Sequence, residues 1–338
     1  MKKNASEKKT ERFQLTDSKS GKIDILRGLS IIAVVFIHNT PDGLYQVMCR
    51  PFLNFAVATF LFLSGMLSDA NKWHPAKRIK KVVIPYIFWT LVYVTLSNFR
   101  NPVEIPLDFL KGLITGNSAA IAAIMYYIFL YCELTLLIPL IDKLARSKYK
   151  YLGFVISPVE IVFMRLIPLI MKVNFNRYIE IIMSVSCVGW FIFYYLGYLL
   201  GNGLLEIRFS TAKIAVMWAF SIALQIAEGY WYMSMGAQNC GTQLKLSSIL
   251  SNVLFVVLAF GFVNSDKTCA NKFLNILGKS SFGIYFSHIA VMTALKQIPY
   301  YSEYIIYPFN AILTVLVSLI CVLAGRKFLG NKGRYIAL

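Results

Sequence analysis

The chain has 338 residues, of which 57% are hydrophobic and 15% charged, with a mean hydropathy of +0.61. A soluble domain carries about 25% charged residues and has nowhere to hide this much apolar surface, so soluble, disordered and disulfide-framework classes are all excluded. A polytopic membrane protein remains, and its net charge of +18 is then expected in basic cytoplasmic loops rather than on a nucleic-acid surface.

Residues 1–22 are polar and lysine-rich, with no apolar core of a secretory signal, and are expected to be a disordered cytoplasmic tail. The apolar runs that follow predict an all-α transmembrane bundle of about ten helices, at roughly 24–41, 51–69, 82–99, 119–141, 151–171, 181–200, 212–229, 247–263, 280–295 and 307–325. One membrane domain over 23–326 and a short basic tail over 327–338 complete the expected organisation. Ten crossings place both termini on one side. On that side lie 25 of the 34 Lys and Arg residues; 7 lie opposite, Arg50 and Lys245 among them, and Arg27 and Arg165 fall inside spans. This split follows the positive-inside bias and predicts cytoplasmic termini in a multi-pass cell-membrane protein.

Ionisable groups inside hydrocarbon are costly and mark candidate sites. In the first span, IDILRGLSIIAVVFIHNT, Arg27 and His38 are 11 residues apart. At about 100° per residue they share one helix face, offset by about 20° and separated by about 16.5 Å. Asp24 is spaced to pair with Arg27. A cation at the doorway and a titratable base deeper in suit an elongated anionic ligand. In the ninth span, SSFGIYFSHIAV places Tyr285 three residues before His288, either as a helix-packing pair or as part of a site. The loop KWHPAKRIKK puts Arg78 and Lys81 one helical turn apart, a possible phosphate clamp within a run of otherwise lipid-facing charge. Glu133 and Glu160 are both open as counter-ions to Arg165, and Ser64-Gly65 favours close helix packing. The scattered histidines and six cysteines have no metal-ligand spacing, so no metal site is expected. Without a nucleophile elbow or glycine-rich phosphate loop, chemistry would rest on histidine.

IDILRG with its following His38, then FLFLSGML, KRIKKVVIPYIFW and GKSSFGIYFSHIAV, in this order from residue 23 to about 292, resemble the acyltransferase-3 family of integral membrane acyltransferases. The resemblance implies transfer of an acyl group, usually acetyl, from cytoplasmic acyl-CoA to a hydroxyl of an extracytoplasmic glycan or other envelope molecule. It implies His38 as the catalytic residue, and Arg27, Arg78 and Lys81 as the acyl-CoA contacts, with acyl-CoA a substrate and no resident cofactor. His288, Tyr285, Ser64, Glu133 and Arg165 are possible supporting residues. The family often has a second arginine where Lys81 stands, and a tryptophan at the start of span four where Tyr126 stands. Membrane lipid is an expected partner and nucleic acid is not. A carrier of a lipid-linked sugar or small solute is the alternative, using the same intramembrane charges as transport sites.

Overall fold

The computed structural model describes residues 17–116, 125–207, 210–237, 239–262 and 268–338, and among these there is no strand. Helix α1 spans Asp17–Asn39. A broken second span follows, α2 (Leu44–Cys49) and α3 (Phe55–Met66). Next come α4 (Pro75–Ser97), the short α5 (Ile105–Thr115), and α6 (Tyr126–Leu136) with α7 (Ile138–Ala145). The middle of the chain supplies α8 (Ile156–Ile161), α9 (Ile167–Met171), α10 (Arg177–Val185) and α11 (Phe191–Gly201). The last third holds α12 (Thr211–Ser234), α13 (Leu246–Phe262), α14 (Cys269–Lys296), the single turn α15 (Tyr301–Tyr304) and α16 (Phe309–Leu329).

Six helical stretches among the described residues are long and apolar enough to cross a membrane: Leu44–Met66, Pro75–Ser97, Lys150–Met171, Tyr178–Gly201, Thr211–Ser234 and Phe309–Leu329. α1 and α14 fall outside that set because charged residues (Lys22, Asp24, Arg27; Lys272, Lys279) occupy their first halves. These are also the helices that carry two of the three histidines, His38 and His288.

Several predicted spans are interrupted. Pro139 sits at the junction of α6 and α7 and lacks the N–H that a continuous helix would use there. Between α8 and α9, Val162–Leu166 is wound as a π-turn that carries Arg165. α1 already begins at Asp17, within the stretch expected to be a tail; residues 1–16 lie outside the described residues, as do 119–124 of the fourth predicted span. At the other end, the expected basic tail is folded: α16 runs to Leu329 and Gly330–Ile336 turns back under the bundle.

Two helix pairs set the frame, and both use glycine to bring backbones together, since hydrocarbon offers no hydrophobic drive for helices to associate. A Cβ on Gly28 of α1 would lie 2.1 Å from the Leu274 carbonyl oxygen, and one on Gly278 of α14 would lie 1.8 Å from that of Asp24. The contact is reciprocal, so α1 and α14 are seated on each other at the very turn that carries Arg27. α3 and α11 repeat the device: Gly65 faces the Tyr194 carbonyl oxygen and Gly197 that of Phe62, each 2.0 Å from where a Cβ would sit. The sequence reading of Ser64-Gly65 as a packing element fits this.

Gly278→Ala is expected to force α14 away from α1, because the obstacle is backbone, and to destabilise the protein by about 1–3 kcal/mol. Gly261→Ala, whose Cβ would meet nothing within 4 Å, is expected to be neutral or to stabilise by up to about 1 kcal/mol. Thermal unfolding of the purified protein in detergent checks the opposite signs; equal shifts would contradict the packing argument.

Candidate functional site

A cavity of about 1080 Å³ runs between α1, α3, α4, α6 and α14, and its lining includes both Arg27 and His38. The two residues predicted from helical spacing to share a face thus open onto one space. Six cations line it: Arg27 on α1, Lys77, Lys80 and Lys81 on α4, Lys279 on α14, and Lys332 beyond α16. Asp24 is the carboxylate in the lining, and its Oδ1 pairs with Arg27 Nη1 at 3.5 Å. Arg27 remains 37% exposed, so one weak ion pair leaves its charge available to a ligand. The cluster holds more positive charge than its neighbours compensate, which suits a polyanion.

Away from the cations the walls become aromatic. Phe60, Tyr127 and Tyr285 form an edge-on ladder with ring centroids 6.2 and 5.7 Å apart. Tyr126 lines the cavity and stacks on Trp190 at 6.1 Å. The passage is therefore charged where it meets Arg27 and largely apolar towards His38.

His38 stands beside the second histidine of the sequence reading: the His38 and His288 ring centroids are 5.3 Å apart. His288 is wholly buried. Its Nδ1 lies 2.8 Å from the Tyr285 carbonyl oxygen and 3.0 Å from that of Ile284. Carbonyls only accept, so Nδ1 carries the proton and Nε2 keeps a lone pair. That buried Nε2 has no partner among the described residues. The α1–α14 glycine contact is what brings the two rings together.

Not every predicted contact reaches the cavity wall. Lys81 does. Arg78 points instead to Ser68 Oγ (3.0 Å) and the Tyr131 hydroxyl (3.4 Å), with its guanidinium 5.8 Å from the centre of the Tyr131 ring. Because Tyr131 lines the cavity, Arg78 acts one layer behind it. Ser64 is off the wall, its hydroxyl buried and without a partner among the described residues. The choice of counter-ion falls to Glu160, which pairs with Arg165 at 3.6 Å; Glu133 Oε2 accepts the Cys187 backbone N–H at 2.7 Å. Among the described residues no group of His, Cys, Asp or Glu could hold a metal ion.

Sequence reasoning missed a polar cluster beyond His38. Arg50 donates to the Ile37 carbonyl oxygen at 3.4 Å and to Gln46 at 3.3 Å, which places its guanidinium beside His38. Lys245 is fully buried and donates to the carbonyl oxygens of Cys240 (2.9 Å) and Gln225 (3.3 Å); desolvation brings its ammonium down to about 8. Gln225 also accepts from Asn54 (2.7 Å) and Ser248 (2.9 Å) and donates to Ser251. The available signal was topological: Arg50 and Lys245 are two of the seven cations on the cation-poor side.

The family model for an acyltransferase domain matches residues 20–325, nearly the whole chain, and no curated protein and no solved structure matches it. The chain belongs to this acyltransferase family.

Proposed function

From that membership we propose that the protein moves an acyl group, in the simplest case acetyl, from cytoplasmic acyl-CoA to a hydroxyl of an extracytoplasmic glycan or other envelope molecule. The proposal includes about ten spans with both termini in the cytoplasm of a cell-membrane protein. The observation that supports it most strongly is the single cavity shared by the cationic cluster and His38. The diphosphate and phosphate of CoA cannot enter hydrocarbon, but its slender pantetheine arm can pass between aromatic walls. Lysines and Arg27 would hold the anionic end while the thioester reaches His38.

The chemistry follows from the histidine pair. The pinned tautomer of His288 presents a lone pair at Nε2, unpartnered among the described residues; a turn of the neighbouring His38 ring that directs an N–H to it would leave the other His38 nitrogen unprotonated. That nitrogen takes the proton from the acceptor hydroxyl as its oxygen attacks the thioester carbonyl carbon. Collapse of the tetrahedral adduct breaks the C–S bond, and the His38 proton passes to the leaving CoA sulfur, restoring the neutral ring. His38 as acyl carrier is the same geometry with the ring nitrogen attacking first. Arg50 and the Gln225 network lie on the side from which an acceptor would approach.

His38→Ala, checked for insertion and folding, is expected to lower transfer from labelled acetyl-CoA at least about 100-fold; retained transfer would overturn the assignment, and solute movement independent of acyl-CoA would favour a carrier. Envelope glycans with and without the protein should differ by an acetyl-sized mass. For the pair, His288→Leu is expected to lower kcat about 10–100-fold with KM for acetyl-CoA unchanged, and His288→Gln, which restores an acceptor atom, to recover part of the loss. Equal losses in both variants would make His288 a packing residue only.

A further inference from the structure

The segment after α16 lies beyond residue 325, where the family match ends, yet it is built into the bundle. Trp89 Nε1–H donates to the Ile336 carbonyl oxygen at 2.9 Å, and the Leu338 N–H to that of Gly333 at 2.9 Å. Ala337 is buried, and its carbonyl oxygen would stand 2.5 Å from a Cβ on Gly283 of α14. At the end of α16, Arg326 donates to Ser280 Oγ (3.2 Å) and the Lys279 carbonyl oxygen (2.9 Å). These contacts fix the segment against α4 and α14. Two of its side chains, Lys332 and Tyr335, line the cavity.

Tyr335 is 64% exposed, an aromatic face at the edge of a cationic mouth, and Lys332, exposed three residues earlier, lines the same mouth. An aromatic ring next to a cation matches a nucleotide: a base stacks on the ring and a phosphate meets the ammonium. The nucleotide end of CoA carries an adenine and, on its ribose, a 3′-phosphate separate from the diphosphate that leads to pantetheine. Resting on the acyl-CoA reading above, we infer that the segment 330–338 is a wall of the donor site. Tyr335 underlies the adenine and Lys332 meets the 3′-phosphate, while Lys77, Lys80 and Lys81 serve the diphosphate. This chain thereby completes its donor site with an element outside the matched domain. A rival platform is Trp73, in a shallow depression that shares Lys77 with the cavity. Trp73 does not line the cavity itself, and its Nε1–H is committed to the Thr135 carbonyl oxygen at 2.9 Å.

The test is equilibrium binding of CoA and of dephospho-CoA, which lacks only the 3′-phosphate, to the purified full-length protein. Lys332→Ala is expected to weaken CoA binding about 5–10-fold and to leave dephospho-CoA binding unchanged. Tyr335→Ala is expected to weaken both about tenfold, with Tyr335→Phe close to the parent and Trp73→Ala without effect. The inference is overturned if Lys332→Ala weakens both probes equally or neither, or if Trp73→Ala weakens binding while Tyr335→Ala does not. A parent protein that binds neither probe would instead overturn the acyl-CoA reading itself.

Discussion

The seating of α1 on α14 is the constraint from which the rest follows. Two glycines, Gly28 and Gly278, each face a carbonyl oxygen of the opposite helix at a distance that admits no side chain. A glycine inside a helix costs about 1 kcal/mol relative to alanine, and in lipid there is no hydrophobic term to offset it, so close backbone packing must do so. That contact fixes the rotation of both helices. It turns Arg27 and His38 into the cavity and sets His288 behind His38. The histidine pair lies about three turns along α1 from the glycine contact, far enough to leave a long passage between the cationic cluster and the two imidazoles.

Charge is distributed along that passage in keeping with its cost. Six cations gather where the cavity meets Arg27, and the remaining walls are mainly aromatic and aliphatic, with a few hydroxyls, the Gln243 amide and His38. A low-polarity lining strengthens each electrostatic contact made at the far end. Cations elsewhere in the bundle obey the same rule: the partly buried Arg165 has Glu160 beside it, and the buried Lys245 is held by two carbonyl oxygens. Arg50 makes no ion pair among the described residues and relies on Gln46 and the Ile37 carbonyl oxygen. Its charge stays next to His38.

Much of the helical frame was legible because spans must be long and apolar, and the Arg27–His38 relation because helical geometry alone puts residues 11 apart on one face. Asp24 pairing with Arg27 followed from the same spacing. What could not be read is what depends on contact between distant segments. Arg78 and Lys81 look alike as a one-turn pair, and the positions of Ser68 and Tyr131 hold Arg78 behind the wall. Glu133 and Glu160 were equivalent until the backbone N–H of Cys187 claimed the first. The π-turn at Arg165 and the breaks after Leu136 and Val185 are local departures that hydropathy does not register. Lys332 and Tyr335 read as a solvated basic tail, since nothing in their spacing announces that Trp89 and Gly283 will hold the segment against the cavity.

The central claim is that one passage carries an acyl thioester from the cationic cluster to His38. Its most direct test is a structure of the protein with bound CoA. The account predicts the diphosphate among Lys77, Lys80, Lys81 and Arg27 and the sulfur within contact of the His38 imidazole. Phosphates bound elsewhere on the protein, or a sulfur that stops short with aromatic side chains closing the way to His38, would contradict it.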